Sequence, residues 1–234
     1  MKGSEAERLA QCAECHSRAH NPVRTGIELL AGATHAGAGL LLTVGGDAVK
    51  LPGAEDVAEG HEIVKSTAFV FGDDGDVPNN PLPLIVYHGA VAAAAGDAAA
   101  AFEDLFRRNG WGGGWRNGIY PFHHYHSNVH EVLGIAAGHA TVRFGGEAGR
   151  TLDVAAGDAV LIPAGVGHKR LAASDDLLVV GAYPGGERAD LMREGAEDRA
   201  GIRRRVAAAT RPGRDPVAGD GGPMSAHWDA IRPG

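Results

Sequence analysis

The sequence predicts an all-β fold with a few flanking helices and a poorly defined N-terminal extension. Three observations predict it. Of 234 residues, 36 are Gly and 12 are Pro. The Gly share is about twice that of an average chain, and tight turns, which β architectures need in number, are where these residues are used. After Gly110 the chain reads as a series of short apolar runs bounded by glycine, the signature of a sandwich or barrel. Composition also changes near residue 65. Residues 1–65 carry few aromatics and no sustained period, whereas residues 66–234 are punctuated throughout. The division expected is an irregular extension over 1–65 and a barrel domain with a helical tail over 66–234.

In the extension, Glu5 to Cys12 reads as a short helix and Gly39 to Val44 as a strand. Thr67 to Phe71 is the first well-marked strand, and Gly72-Asp73-Asp74-Gly75-Asp76 is a turn. Pro78, Pro81 and Pro83 hold the next segment extended or turned, because proline lacks an amide donor and biases its predecessor away from helix. Leu84 to Tyr87 follows as a strand. Ala98 to Arg108 reads as a helix, with Asp97 as N-cap, Ala98, Phe102, Leu105 and Phe106 on one face, and Gly110 as the stop. The barrel strands expected next are Ile119 to His126, Glu131 to Ala137, Ala140 to Phe144, Ala159 to Pro163 and Leu177 to Tyr183. Beyond Gly185, Ala189 to Glu194 and Arg199 to Ala209 look helical, and the Arg203-Arg204-Arg205 run reads as a solvated helix face.

Charge and length exclude several roles. With 22 Lys and Arg against 29 Asp and Glu, the net charge of -7 offers no field to gather a polyanion, so nucleic acid is not an expected partner. Ala36 to Gly46 falls short of the ~20 residues of a membrane span. Its polar lead, with Glu5, Glu7, Glu14 and Glu28, is unlike a signal peptide. The expectation is a soluble, cytoplasmic protein without membrane association. Cys12 and Cys15 are the two cysteines, so no disulfide framework holds the fold. Cys12-Ala13-Glu14-Cys15-His16 has the form of a c-type haem attachment site, and Cys12, Cys15, His16 and His20 have that of a zinc site. Chance spacing is the favoured reading of both.

Five of the 12 histidines fall between positions 123 and 139. His124 and His126 stand two apart on an expected strand, so their side chains share a face and can share one metal ion. A hairpin through Ser127 to His130 would bring Glu131 back opposite them as a third ligand. The turn Pro163-Ala164-Gly165-Val166-Gly167 would return His168 to the same interior as a fourth. Three imidazoles and one carboxylate suit a divalent transition metal, whether Fe, Mn, Ni, Co, Cu or Zn, better than Mg or Ca, which prefer oxygen shells. His123, His130 and His139 are left outside this set.

The order Gly118, five residues, His124, one residue, His126, four residues, Glu131, six residues, Gly138 resembles the first cupin motif. After 18 residues, Gly157, five residues, Pro163, one residue, Gly165, two residues, His168 resembles the second. Where that motif often carries Asn four positions beyond its His, this chain has Ala172. The segments Pro78 to Leu84, His123 to Gly134, Ser174 to Asp176 and Gly181 to Pro184 are similar to the YjlB-like bacterial cupins, over roughly residues 66 to 230. The resemblance implies a cupin double-stranded β-helix, a jelly-roll-type barrel with a metal in its mouth.

Four protein ligands on an octahedral ion leave two positions for a small-molecule substrate or ligand. Leu133, Ile135, Val160 and Ile162 are expected to face inward beside it, with Tyr183, Arg170 and Trp115 as pocket contacts. The reading is a metal-dependent enzyme acting on a small organic molecule. A dioxygenase is favoured over an isomerase, epimerase or lyase. The alternative is a non-catalytic cupin that binds or senses a small ligand or metal. A homodimer is expected, built on the Pro78 to Leu84 arm and on Phe102 and Phe106.

Overall fold

A computed structural model describes residues 43–44, 47–48, 65–93 and 96–231. The chain divides into two units, Met1–Gly60 and His61–Gly234. In the first, β1 (Thr43–Val44) pairs antiparallel with β2 (Asp47–Ala48). The remainder of the strand expected from Gly39, the helix expected from Glu5 and the Cys12 to His20 cluster lie outside the described residues.

The second unit runs β3 (Ser66–Phe71), β4 (Asn80–Tyr87), α1 (Ala98–Arg108), β5 (Trp111–Asn117), β6 (His124–Tyr125), β7 (Glu131–Ala137), β8 (His139–Phe144), β9 (Arg150–Ala155), β10 (Ala159–Ile162), β11 (His168–Ala173), β12 (Leu178–Pro184), β13 (Met192–Arg193), α2 (Arg199–Ala208) and α3 (Pro223–Trp228). Its strands form two antiparallel sheets, β3-β4-β10-β7-β12-β5 and β13-β6-β11-β8-β9, in the barrel architecture expected. Among the described residues, no helix is long and apolar enough to cross a membrane.

Strand alternation divides the apolar residues between two cores. Leu84, Val86, Leu133, Ile135, Val160, Ile162 and Val179 point from the first sheet onto Val142, Phe144 and Val154 of the second, filling the interior. Leu133, Ile135, Val160 and Ile162 therefore face inward as expected. The alternate residues Ile85, Val132, Leu161 and Val180 point outward and are covered by Phe102 and Phe106 of α1 and by Met224 and Trp228 of α3. Central strands sandwiched in this way are apolar on both faces, so β7 and β10 read as continuous apolar runs.

The helix α1 starts and stops where its caps dictate. The Asp97 carboxylate accepts from the Ala100 amide at 2.9 Å, and Gly110 takes the positive φ of 82° that ends the turn. Its Phe102 and Phe106 are buried against the sheet, so they are not available for the dimer contact expected of them. Close approach of α1 also explains Gly134, where an added Cβ would lie 2.5 Å from the Phe102 ring. Gly134→Ala should overpack this seam and destabilise the fold by about 1–3 kcal/mol, read as a lower urea midpoint.

Three expectations are corrected. Of the strand expected over Ile119 to His126, only His124–Tyr125 pairs; Pro121 has no amide donor to extend it. β6 and β7 do not form a hairpin, because β6 pairs β11 and β13 in one sheet while β7 pairs β10 and β12 in the other. The helix expected at Ala189 to Glu194 is instead a strap ending in β13, whose Met192 and Arg193 pair with Tyr125 and His124.

Candidate metal centre

The site is built where the two sheets meet at one end of the interior. His124 on β6 and His168 at the start of β11 are direct cross-strand partners, with ring centroids 3.9 Å apart. His126 lies just past the end of β6. Glu131 opens β7 in the facing sheet, paired in register with Ile162. The carboxylate thus reaches the histidines across the interior rather than along a hairpin. All four expected ligand residues converge, and all are nearly excluded from solvent.

Each imidazole is oriented by a backbone carbonyl. Nδ1 of His124 faces Phe122 O at 3.3 Å, Nδ1 of His168 faces Val166 O at 3.4 Å, and Nδ1 of His126 contacts Asp190 O. A carbonyl only accepts, so these contacts place the ring proton on Nδ1 and leave the Nε2 lone pair of a neutral ring for another partner. Carbonyl partners of this kind orient metal-binding histidines. The Nε2 atoms of His126 and His168 stand 3.4 and 3.5 Å from the two Glu131 oxygens. Two ligands each about 2.1 Å from a shared ion are about 3.0–3.4 Å apart at octahedral or tetrahedral angles, so these spacings suit donors around one centre. Glu131 Oε2 is buried and has no hydrogen-bond partner among the described residues. An acceptor in that position, facing further acceptors, needs a cation or a proton.

The set is drawn together rather than closed. Among the described residues, no group of three or more His, Cys, Asp or Glu side chains stands close enough about one point to hold a metal ion. The His124 ring leans on His168, with 3.9 Å between centroids, and its Nδ1 contact with Phe122 O is long at 3.3 Å. The donor chemistry, the carbonyl-fixed rings and the orphaned carboxylate oxygen are of the kind a divalent transition metal takes, and His124, His126, Glu131 and His168 are the residues that would hold it.

A cavity of about 270 Å³ opens in front of these residues. Trp115, Ile119, Leu133 and Tyr183 wall it, and the half-exposed Tyr120 and Leu191 stand among its lining. Trp115 Nε1 donates to Tyr183 Oη at 3.0 Å, and the Tyr183 ring meets His126 edge-on with 5.6 Å between centroids. Burial, and then the Glu131 charge, push the Tyr183 phenol above its ordinary range, so it stays protonated and can donate a hydrogen bond. Arg170, two residues beyond His168, is half-buried and does not line the cavity. His123, His130 and His139 also lie outside the lining.

Tyr120, Asp190 and Leu191 were not expected in the site. Asp190 belongs to the strap: its carboxylate accepts from the Ser127 amide at 2.6 Å and from the Ser127 hydroxyl, while its carbonyl holds His126. Arg205 of α2 donates to Ser127 Oγ at 2.8 Å. These contacts connect α2 to His126 through the strap. Asp190→Ala should weaken metal binding about 10–100-fold with little change in the far-ultraviolet circular dichroism; metal titration of both proteins checks it.

The Cupin domain family matches at residues 116–180. The uncharacterised protein YjlB of Bacillus subtilis (strain 168) is 41% identical over 165 residues, covering 70% of this chain and 97% of its own length. The chain belongs to the YjlB-like cupins. This cupin is also similar to an acireductone dioxygenase from Bacillus anthracis with a cadmium ion in its active centre. That match has 16% identity and a TM-score of 0.31, over 40% of this chain and 63% of the dioxygenase. A cupin 2 domain-containing protein from Halorhodospira halophila matches at 16% identity and a TM-score of 0.28, over 67% of this chain and 88% of its own.

Protons occupy the centre of this cupin when no metal does. Burial lowers His126, but the Glu131 carboxylate outweighs burial and holds it at about 8. Burial raises Glu131, but the surrounding histidines, His126 foremost, hold it at about 2. Burial keeps His124 and His168 below the ordinary histidine range. His126 is therefore the one of the four side chains that would have to lose a proton for a metal to bind there. A raised His126 stabilises the metal-free fold below its ordinary 6.5, and that contribution is lost as pH rises through about 8. The lowered Glu131 contributes above its ordinary 4.5 and loses this as pH falls through about 2. The lowered His124 and His168 stay neutral in the fold, so they cost stability as pH falls below 6.5. Metal-stripped protein should accordingly melt highest near pH 6.5 and lose stability toward pH 8, where metal uptake should tighten with release of one proton.

Proposed function

We propose that this cupin is a metal-dependent enzyme, a dioxygenase, acting on a small organic molecule that carries oxygen donor atoms. The observation that carries the proposal is the convergence of three carbonyl-oriented imidazoles on the buried, partly orphaned Glu131 carboxylate at the base of a solvent-connected cavity. A divalent transition ion bound there supplies a Lewis-acid centre of net charge about +1 and, if redox-active, electrons for O2.

The residues around it provide the rest. Trp115 fixes the Tyr183 oxygen, whose own O–H lies within reach of the Glu131 carboxylate and could turn to a substrate oxygen bound beside it. Ile119, Leu133 and Leu191 offer apolar walls that hold a carbon skeleton and exclude water. Among the described residues, the lining carboxylates are those of Glu131, in the proposed ligand set, and Asp190, already bonded to Ser127. An isomerase or epimerase needs a free base to remove a proton. Among the described residues the lining offers none, which supports electron chemistry over proton abstraction.

Oxygen uptake by the Fe(II)-reconstituted protein against thiols, diketones, phenols and hydroxy acids tests the reading. One class should drive O2 consumption, and His124→Ala should abolish it. Ligand-dependent melting shifts without turnover of any class would instead identify a binding or sensing cupin, a role the same lack of a free base also suits. The protein's place is then the cytoplasm, as a homodimer whose contacts exclude the buried Phe102 and Phe106; sedimentation equilibrium at twice the 24.1 kDa chain mass checks the dimer.

A further inference from the structure

Among the described residues, four large hydrophobic side chains are left exposed: Val70, Tyr120, Leu171 and Leu191. Two of the four, Tyr120 at 47% and Leu191 at 51% exposure, line the cavity in front of the proposed metal ligands. They come from different parts of the chain, Tyr120 from the segment before β6 and Leu191 from the strap. Apolar surface gathered at a cavity, rather than scattered singly, marks a place where an apolar partner is received.

Tyr120 is held there by a stack. The Arg193 guanidinium carbon lies 3.9 Å from the Phe122 ring centroid, and Phe122 stacks on Tyr120 with centroids 4.9 Å apart and planes 19° from parallel. The Tyr120 ring in turn meets His124 edge-on, with 5.0 Å between centroids. Arg193 belongs to β13 and Phe122 leads into β6, so the pairing of these two strands holds the stack together. A phenol ring fixed in this way and still half-exposed is a preorganised surface for another flat ring. Trp115 and Tyr183 add two more aromatic side chains to the same lining.

Size and charge narrow the ligand. An apolar cavity of about 150 Å³ holds one benzene, so about 270 Å³ has room for one ring with its substituents. Among the described residues the lining carries no Lys or Arg and two carboxylates, those of Glu131 and Asp190. A dicarboxylate would bring in a second charge with no cation to meet it, at a desolvation cost. The polar groups of the lining, His126, Glu131 and Tyr183, lie together, so the ligand is polar at one end and flat and apolar for the rest. Two adjacent ring oxygens match the two positions that four protein ligands leave on an octahedral ion.

We propose that this cavity takes a single aromatic ring bearing two adjacent oxygens, a catechol, and that Tyr120 is the residue that selects the ring. The proposal rests on the reading of His124, His126, Glu131 and His168 as a metal centre, and it holds for an enzyme and for a sensor alike.

Full-length protein loaded with redox-inactive Zn(II) and freed of excess metal is titrated calorimetrically with catechol and with glycolate, which has two oxygen donors and no ring. Zinc per chain is measured alongside. Tyr120→Ala should weaken catechol about 2–10-fold and Tyr120→Phe much less, while glycolate should bind both variants as it binds the wild type. Equimolar malonate should leave the catechol complex in place. With zinc bound, catechol affinity unchanged in Tyr120→Ala, or an equal loss for glycolate, would overturn the proposal alone. So would displacement of catechol by malonate. A wild type that takes up no zinc would overturn the metal centre and this proposal with it.

Discussion

Glu131→Gln is expected to lower the affinity for divalent transition metals by more than about 100-fold, beyond the range seen when only a residue orienting a ligand is lost. The amide keeps the size of the side chain but removes the one anionic donor, so the ion would be held by neutral imidazoles in a buried site with no compensating charge. The substitution carries its own internal signature. Glu131 is what raises His126 against burial. With Gln in its place, burial is opposed only by Asp190, and His126 should titrate lower than in the wild type. Metal uptake near neutral pH should then release fewer protons than in the wild type. Isothermal titration in two buffers of different ionisation enthalpy reads both the affinity and the proton count. Wild-type affinity with wild-type proton release would place the ligand set elsewhere.

Asp215→Ala should be the most destabilising substitution away from the site, by about 4 kcal/mol or more if each stranded buried donor costs 1–3 kcal/mol. The Asp215 carboxylate is fully buried. It accepts from Tyr87 Oη at 2.8 Å and from the amides of Val217, Ala218 and Met224 at 2.8, 2.9 and 2.8 Å. Removing it leaves four donors without an acceptor and frees the turn that leads into α3. Burial and then the Asp215 charge push the Tyr87 phenol far up, so Tyr87 remains a donor over the working pH range. Tyr87→Phe removes one donor together with its hydrogen bond and should cost only about 1 kcal/mol. Urea unfolding of the two variants separates them; similar losses would mean that Asp215 acts through Tyr87 alone.

The parts of the fold legible in the sequence are those with local punctuation. α1 has an Asp N-cap, a helical apolar stripe and a terminating Gly110, and its observed limits follow them. β7 and β10 show as apolar runs because helices cover the outer face of their sheet. β5 was hidden by Gly112, Gly113 and Gly114, which have no side chains to alternate. β9 is an edge strand with exposed polar positions and little apolar content. β13 is specified by tertiary pairing with β6, which no local period in Met192-Arg193 records.

The same division runs through the site. His124, His126, Glu131 and His168 were legible because two motifs fix their spacing, although the carboxylate arrives from the opposite sheet. Trp115 and Tyr183 stand in the cavity wall, whereas Arg170 does not. Asp190 lies 63 residues from Ser127 in sequence and shares no motif with it, so only the folded chain brings the strap to His126.

Elemental analysis of untagged protein by mass spectrometry, beside a Glu131→Ala, His168→Ala double variant, tests the metal centre most directly. The expected result is close to one Fe, Mn, Ni, Co, Cu or Zn per chain in the wild type and loss of that metal in the variant. Equal, substoichiometric metal in both proteins, persisting after reconstitution, would contradict it.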